Sequence, residues 1–259
     1  MVLDGMEYLI YSMTKKADKV HLVRYADDFI VTADTKELLE HKIKPAIVRF
    51  LFERGLELSE EKTQITHIDE GFDFLGFNIR KYNKKLLTKP SKESIKSFLA
   101  NIQEVINANK TSTTLKLLLA INPKIRGWVN YYRHGVSQKS FEYIDNAIFW
   151  MLWRWAKRRH PNKGARWVKD KYFARIGTQK WVFCTLYKKN NRDKQIYPLY
   201  RAGYVPIRRH IKIRAEANPF LPDDEEYFQK RRMNLQQMKI TEQKRYDAEK
   251  KLLGQLMAS

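Results

Sequence analysis

Two adjacent aspartates, Asp27 and Asp28, interrupt the otherwise largely apolar stretch VRYADDFIV at residues 23–31. Neighbouring carboxylates repel each other, and a cation beside them relieves that repulsion. Mg²⁺ prefers carboxylate oxygens and keeps open positions for phosphates, so such a pair could take part in a two-metal phosphoryl-transfer site. Taken alone, however, an Asp-Asp pair is most often a polar turn.

The residues on either side predict that the pair lies between two strands. VHLVRYA and FIVTA are both rich in β-forming residues and are separated by the two aspartates alone. This pattern predicts a hairpin with Asp27 and Asp28 at its tip. Asp-Asp makes a poorer tight turn than Asp-Gly, which indicates that the carboxylates themselves are required there.

The sequence around the hairpin predicts a small α+β unit. One helix is expected within residues 2–14, and another from a cap at Asp34 or Thr35 to about Arg54, with a kink at Pro45. Short strands are expected at residues 63–68, 72–79 and 85–88.

From Ser91 onward the apolar residues recur at helical spacing, which predicts a mainly helical region. Three long helices are expected, in SKESIKSFLANIQEVINAN, TSTTLKLLLAINPKIRGWVNYYRHG and SQKSFEYIDNAIFWMLWRWAKRRHP. Residues 180–214 look more strand-like and remain basic. Residues 225–256 are polar and helix-prone, and we expect this tail to be mobile or dependent on a partner.

The charge of the chain is concentrated in its middle. Residues 91–214 hold 27 basic and 6 acidic residues, whereas residues 1–90 hold 15 of each and residues 215–259 hold 8 of each. Cations interleaved with aromatic residues suit phosphate neutralisation together with stacking on bases. The alternative is a solvated basic surface over core aromatics, but solubility alone does not need so one-sided a field.

Several classes of protein are disfavoured by composition. The single cysteine, Cys184, permits neither a disulfide framework nor a thiolate zinc site. No apolar stretch approaches the roughly 20 residues of a membrane span, and the N-terminus lacks a signal-peptide pattern. We expect a protein of a reducing interior, either the bacterial cytoplasm or an organelle, that is neither secreted nor bound to membrane.

The motifs taken in series resemble a known family. YADD at residues 25–28, then GLELSEEKT and FDFLGF, is similar to successive palm motifs of reverse transcriptases, and the opening VLDGMEYL is similar to the preceding palm helix. Downstream, IRGWVNYYRHG and WRWAKRRHPNKG resemble the maturase-specific domain of group II intron-encoded proteins. The resemblance runs from about residue 1 to about residue 220.

The resemblance implies roles for individual palm residues. Asp27 matches the aspartate that holds both catalytic Mg²⁺ ions, and Asp28 matches its less directly engaged neighbour. Tyr25 matches the tyrosine beside the primer end, and Lys62 matches a lysine near the incoming triphosphate that could protonate pyrophosphate. The alternative for Tyr25 is ordinary strand packing, and the alternative for Lys62 is a plain surface lysine. The hairpin that grips the primer end is matched by Phe74, Leu75 and Gly76, with a simple bulge glycine as the alternative for the last.

The resemblance also implies contact between the basic region and intron RNA or the template–primer duplex. At helical spacing, Trp128, Tyr131 and Tyr132 could instead belong mostly to the core. The expected RNA-binding residues are Lys124, Arg126, Tyr132, Arg133, Arg154, Lys157, Arg158 and Arg159.

A polymerase of this family needs a third metal-binding aspartate and the fingers, both upstream of the YADD motif, but only 24 residues precede Tyr25. Asp4 and Asp18 are poor substitutes. We therefore expect no DNA synthesis by this polypeptide alone, and expect a complete Mg²⁺ site only with an N-terminal fragment. The clustered histidines and cysteines of an HNH nuclease are not expected either.

The resulting expectation is an α+β chain in which part of a reverse transcriptase palm precedes a helical thumb/maturase domain. The expected boundaries are 1–88 for the palm, 89–164 for the thumb/maturase domain, 165–220 for a basic extension that could bind DNA, and 221–259 for a polar helical tail. One rival is a non-catalytic RNA-binding splicing factor with a relic YADD. Another is a defence- or CRISPR-associated reverse transcriptase, which the IRGWVNYYRHG signature disfavours.

Overall fold

The computed structural model describes residues 3–188, 194–214 and 217–255. The chain divides into two compact units, which consist of residues 1–72 with 79–86 and of residues 73–78 with 87–259. Helices combine with three small antiparallel or meandering sheets of two or three strands, which confirms the α+β class.

The first unit is built on a helix and a hairpin. Its first elements are α1 (Met6–Met13), β1 (His21–Tyr25) and β2 (Asp28–Thr32). The antiparallel register pairs Leu22 with Val31, so both side chains lie on the face that packs against the core. That core consists of Met6, Ile10, Val20, Ile43, Ile47, Phe50 and Leu51.

The helix predicted after the hairpin contains a wider turn in its middle. It comprises α2 (Lys36–Leu38), a π-helical turn (Leu39–Ile43) and α3 (Lys44–Phe52). Thr35 is the N-cap, because its hydroxyl accepts a hydrogen bond from the Leu38 amide at 3.3 Å. Pro45 lacks an N–H and crowds the preceding turn, and the π-turn just before it accommodates that defect.

Two strand predictions for residues 63–79 need correction. Residues 63–68 form no strand: a backbone bond from Lys81 to Ile68 (2.9 Å) joins them to a neighbouring strand, but no ladder follows. The single strand expected at 72–79 is a hairpin instead, because Leu75 and Gly76 both have positive φ (49° and 76°) and turn the chain. The sheet β3-β4-β5 comprises β3 (Phe72–Phe74), β4 (Phe77–Tyr82) and β5 (Lys85–Pro90).

Three long helices form the body of the second unit, as the sequence predicts. They are α4 (Lys92–Ala108), α5 (Thr114–Tyr132) and α6 (Gln138–Arg159). Ser91 and Thr113 cap α4 and α5 by accepting hydrogen bonds from the amides of Ser94 (3.1 Å) and Lys116 (3.3 Å). Their inward faces bury residues such as Leu118 and Ile144 completely, which is the main source of stability for a helical body.

A smaller sheet and a long helix complete the second unit. In chain order they are α7 (Ala165–Tyr172), β6 (Phe173–Ile176), β7 (Gln179–Lys188), β8 (Lys194–Pro198) and α8 (Glu225–Gln255). The three strands form one antiparallel sheet in the order β6-β7-β8. The strand-like character expected beyond residue 204 is absent from the described residues up to Arg214, where the chain runs without regular structure.

Candidate functional site

The YADD hairpin turns one residue earlier than the sequence suggests. Tyr25 pairs with Asp28, so the two turn residues are Ala26 and Asp27, not Asp27 and Asp28. Ala26 has φ 55°, a left-handed conformation that costs a non-glycine residue free energy and is typical of constrained functional turns. Tyr25 (64% exposed), Asp27 and Asp28 all face solvent at this turn.

The two carboxylates do not by themselves make a metal site. Asp27 lies in the turn and Asp28 begins β2, and both are exposed. Among the residues that the structure describes, no group of three or more Asp, Glu, His or Cys side chains could hold a metal ion. Asp4 binds Arg24 at 3.2 Å. The residues present thus do not fit a two-ion Mg²⁺ centre, which needs further oxygen ligands.

Lys62 lies on an exposed turn of the first unit. The turn is held by Thr63, whose amide and hydroxyl both donate to the Ser59 carbonyl at 3.0 and 2.6 Å. Lys62 is exposed on this turn, as a lysine near a bound phosphate would be. Its geometry is equally that of a surface lysine.

The β3–β4 turn, which includes Phe74, Leu75 and Gly76, is held by tyrosines of α5. The hydroxyls of Tyr131 and Tyr132 donate to the carbonyls of Leu75 (2.8 Å) and Gly76 (3.2 Å). A Cβ at Gly76 would lie 2.5 Å from the Tyr132 hydroxyl oxygen. The chain's own tyrosine thus occupies the space that the missing side chain leaves, which explains the glycine by an internal contact.

The aromatic residues of IRGWVNYYRHG mostly serve packing. Tyr132 is 4% exposed, and its hydroxyl lies 2.5 Å from that of Ser94. Burial raises the pKa of the Tyr132 phenol, while the Ser94 contact acts in the opposite direction. Trp128 stacks on Phe98, with ring centroids 4.9 Å apart. Tyr131, in contrast, is half-exposed.

Two of the predicted RNA-binding arginines are engaged inside the protein. Arg133 is 8% exposed and donates to the Pro206 carbonyl at 3.4 Å. Arg159 donates to the carbonyls of Lys110 (3.0 Å) and Ser112 (2.7 Å), and so closes the loop between α4 and α5. Because Arg133 is buried and Arg159 is largely committed, their first role is structural, together with that of Tyr132.

The other predicted cations are exposed. They lie on α5 and α6, where the apolar faces are turned to the core, and Arg126 also lies 5.3 Å from the centroid of the Tyr200 ring. These five side chains remain free to meet phosphates: Lys124, Arg126, Arg154, Lys157 and Arg158.

The sequence prediction included only Arg154 and Lys157 of an exposed stripe along α6. Residues at successive helical turns share one face there, and all of them are exposed. Tyr143 and Trp150 are 59% and 51% exposed, which is unusual for rings of that size. The helical spacing was readable in the sequence, but the exposure was not. We call this set the α6 stripe: Lys139, Tyr143, Asn146, Trp150, Arg154 and Lys157.

Two further observations concern the Cys184 thiol and the length of the apolar helices. Burial raises the pKa of the Cys184 thiol to about 11, so it is protonated and a poor nucleophile at neutral pH. No helix in the described part of the chain is long and apolar enough to cross a membrane.

Two family sequence models match the chain in the order that the motifs predict. Reverse transcriptase (RNA-dependent DNA polymerase) matches residues 5–79, and group II intron, maturase-specific domain, matches residues 95–173. The first therefore contains the YADD hairpin, and the second contains α5 and α6 with the exposed cations.

Curated relatives agree with these matches. The group II intron-encoded protein LtrA of Lactococcus lactis subsp. cremoris is 30% identical over 150 residues, covering 46% of this chain and 25% of LtrA. The ribosomal operon-associated A protein of Euglena longa is 25% identical over 168 residues, covering 64% of this chain and 32% of that protein. The alignments thus span a quarter to a third of the relatives' length. The chain therefore contains, in this order, a part similar to reverse transcriptases and a part similar to the maturase-specific domain of group II introns, and it is also similar to LtrA.

Proposed function

We propose that this chain is the C-terminal portion of a group II intron reverse transcriptase/maturase and binds intron RNA to assist splicing. The observation that carries the proposal is the exposed cationic and aromatic surface of α5 and α6, which lies within the part that matches the maturase-specific domain. LtrA, which is similar to this chain, is itself a group II intron-encoded protein.

The physical basis is counterion release combined with stacking. Each lysine or arginine that meets a phosphate releases condensed counterions, which gives affinity that falls with salt. The α6 stripe adds Tyr143 and Trp150, whose exposed rings can stack on unpaired bases of a folded RNA. A rigid helix that presents both groups would hold RNA segments in a defined arrangement.

We propose further that the YADD hairpin contributes to an RNA-directed DNA polymerase site. Asp27 and Asp28 would supply part of the Mg²⁺ ligand set, and Tyr25 and Lys62 would face the primer end and the nucleotide. At least one more carboxylate and the fingers would come from another segment, which would also help to seat the template–primer duplex. The described residues of this chain do not complete the metal site.

Binding and splicing of a group II intron transcript test the maturase proposal. The triple variant Arg154→Ala/Lys157→Ala/Arg158→Ala should weaken binding and reduce the salt slope by roughly 2, at about 0.7 per lost phosphate contact. The control is Lys16→Ala/Lys42→Ala/Lys81→Ala, which removes the same charge from exposed sites of the first unit. Equal losses of RNA affinity in the two variants would show that only the net charge matters, which would contradict the proposal.

Primer extension with Mg²⁺ tests the polymerase proposal. We expect no synthesis by the chain alone, synthesis when an N-terminal reverse transcriptase fragment is added, and none when that mixture carries Asp27→Ala. DNA synthesis by the chain alone would contradict the claim that its metal site is incomplete. If the reconstituted mixture makes no DNA but still binds intron RNA, the result would favour the non-catalytic splicing factor.

A further inference from the structure

Trp181 occupies a backbone position that tryptophan rarely takes. On β6 and β7, Ala174 pairs with Val182 and Ile176 with Gln179, so Arg175 alone faces two residues, Lys180 and Trp181. This two-against-one arrangement is a β-bulge. Trp181 has φ 59°, in the left-handed region where glycine is the favoured residue and a bulky side chain is strained. Such outliers persist where the surroundings impose them, often at binding sites.

The strained residue presents an aromatic ring to solvent. The Trp181 side chain is 44% exposed, although tryptophan usually buries most of its surface. Its inner side contacts Trp153 and Phe149 at centroid distances of 5.9 and 6.4 Å, which fixes the ring from behind. Lys169 Nζ lies 5.2 Å from the ring centroid. The ring is therefore packed against other aromatic rings, half open, and has a cation over it.

Beside this ring lies a cleft of about 480 Å³, which is within the usual size range of small-ligand sites. One wall is β7 with Lys180 and Trp181, and another is the segment that carries Arg201 and Tyr204. The guanidinium of Arg201 lies 5.1 Å from the Tyr204 ring centroid. All of these residues belong to the second unit.

The helix α6 supplies the third side of the cleft with polar groups. Asn146 lies on the cleft and also belongs to the α6 stripe, so the two surfaces are continuous. Glu142 lines the cleft as well and can accept hydrogen bonds. Asp145 is already engaged, because it accepts the amides of Ala202 (2.8 Å) and Gly203 (2.9 Å). Glu142 Oε1 accepts a hydrogen bond from Gln138 Nε2 at 3.2 Å. A flat ring, an amide, a carboxylate and flanking cations together match the chemistry of a nucleotide.

We propose that this cleft binds one unpaired nucleotide, with its base stacked on Trp181 and its phosphate near Lys180 or Lys169. The base edge would face Asn146 and Glu142, whose amide and carboxylate suit a base that carries amino or imino donors. A paired base could not enter, since both its edge and its neighbours are occupied in a duplex. The inference rests on the proposed RNA-binding function and specifies a subsite for it.

Binding of labelled oligonucleotides to the full chain tests the subsite. The probes are a fluorescein-labelled 12-nucleotide mixed-sequence RNA, the DNA of the same sequence, and a blunt RNA duplex. Trp181→Ala should weaken binding of the single strand by about 5- to 100-fold, as expected for one lost base–aromatic stack, and leave duplex binding and the salt slope unchanged. Trp181→Phe keeps an aromatic ring and should restore most of the affinity.

A matched control and a separate readout keep the test decisive. Trp167→Ala removes another partly exposed tryptophan (37%) of the same basic region that lies outside the cleft, and single-strand affinity should persist. Circular dichroism confirms that each variant is folded. An unchanged single-strand affinity in folded Trp181→Ala, or an equal loss for duplex, would overturn the subsite. Either result leaves the maturase proposal standing, because that proposal is tested on α6 cations and splicing. A loss confined to DNA would overturn the assignment to RNA.

Discussion

The two units of the chain carry opposite kinds of functional surface. The first unit presents two exposed carboxylates at a strained turn and has a small core, in which a hairpin packs on two helices. The second unit presents cations on long helices around a large core of completely buried aliphatic side chains. The carboxylate pair that resembles a reverse transcriptase motif and the exposed cations of α5 and α6 therefore lie in different units.

The largest expected effect concerns the core of the second unit, on which its surface depends. Leu118 is fully buried, whereas its neighbour Leu119 is 52% exposed. Leu118→Ala should destabilise the unit by about 2–5 kcal/mol through lost burial and a cavity, and Leu119→Ala by no more than about 0.5 kcal/mol. Urea denaturation followed by circular dichroism measures both. Similar midpoints for the two variants would contradict the described core.

The next effect tests whether residues 73–78 belong energetically to the second unit. Gly76→Ala should destabilise by about 1–3 kcal/mol, because φ is 76° and the new Cβ would meet the Tyr132 hydroxyl. Gly127→Ala is the control, since nothing lies within 4 Å of its Cβ position in α5, and it should stabilise by up to about 1 kcal/mol.

A double variant sharpens that result. Tyr132→Phe removes the hydroxyl that would clash, so the cost of Gly76→Ala should be smaller in the Tyr132→Phe background than in the parent chain. Urea midpoints of the four chains measure the coupling. Strict additivity would show that the tyrosine and the glycine do not interact.

The smallest expected effect is a pH dependence of the second unit. The rings of His134 and His210 stack with centroids 3.7 Å apart. Burial, then the His134 ring and Arg231, lower the pKa of His210, so the unfolded chain binds that proton more readily than the folded chain. Stability should therefore fall as the pH drops below about 6.5, the ordinary pKa of histidine.

Thermal denaturation at pH 7.5 and pH 5.5 measures this dependence. His210→Asn should lose less stability between the two pH values than the parent chain does, because it has no proton to take up at that position. A larger loss in His210→Asn would reverse the assigned sign.

Apolar periodicity and capping residues in the sequence predicted the long helices and the first hairpin. The cap at Thr35, the faces of α4 to α6 and the β1–β2 hairpin follow from periodicity and capping, and all are present. The prediction of a strand at residues 63–68 was wrong. Strand propensity does not by itself provide a neighbouring strand to pair with, and these residues form no ladder.

The site was only partly predictable for a related reason. Which arginines are exposed depends on long-range contacts, such as that of Arg133 with Pro206 or that of Arg159 with the α4–α5 loop. Composition shows that cationic side chains are abundant, but it does not show which of them bind other groups within the fold. The bulge at Trp181 likewise depends on the register between β6 and β7, which no local signal marks.

The most direct test of the central claim separates the carboxylate pair from the cationic surface in one assay. Binding of a group II intron RNA is measured over a salt series for Asp27→Ala/Asp28→Ala and for Arg154→Ala/Lys157→Ala/Arg158→Ala. We expect near-parental affinity and salt slope for the aspartate variant, and weaker binding with a reduced slope for the cation variant. Loss of RNA binding in the aspartate variant, with the cation variant unaffected, would contradict it.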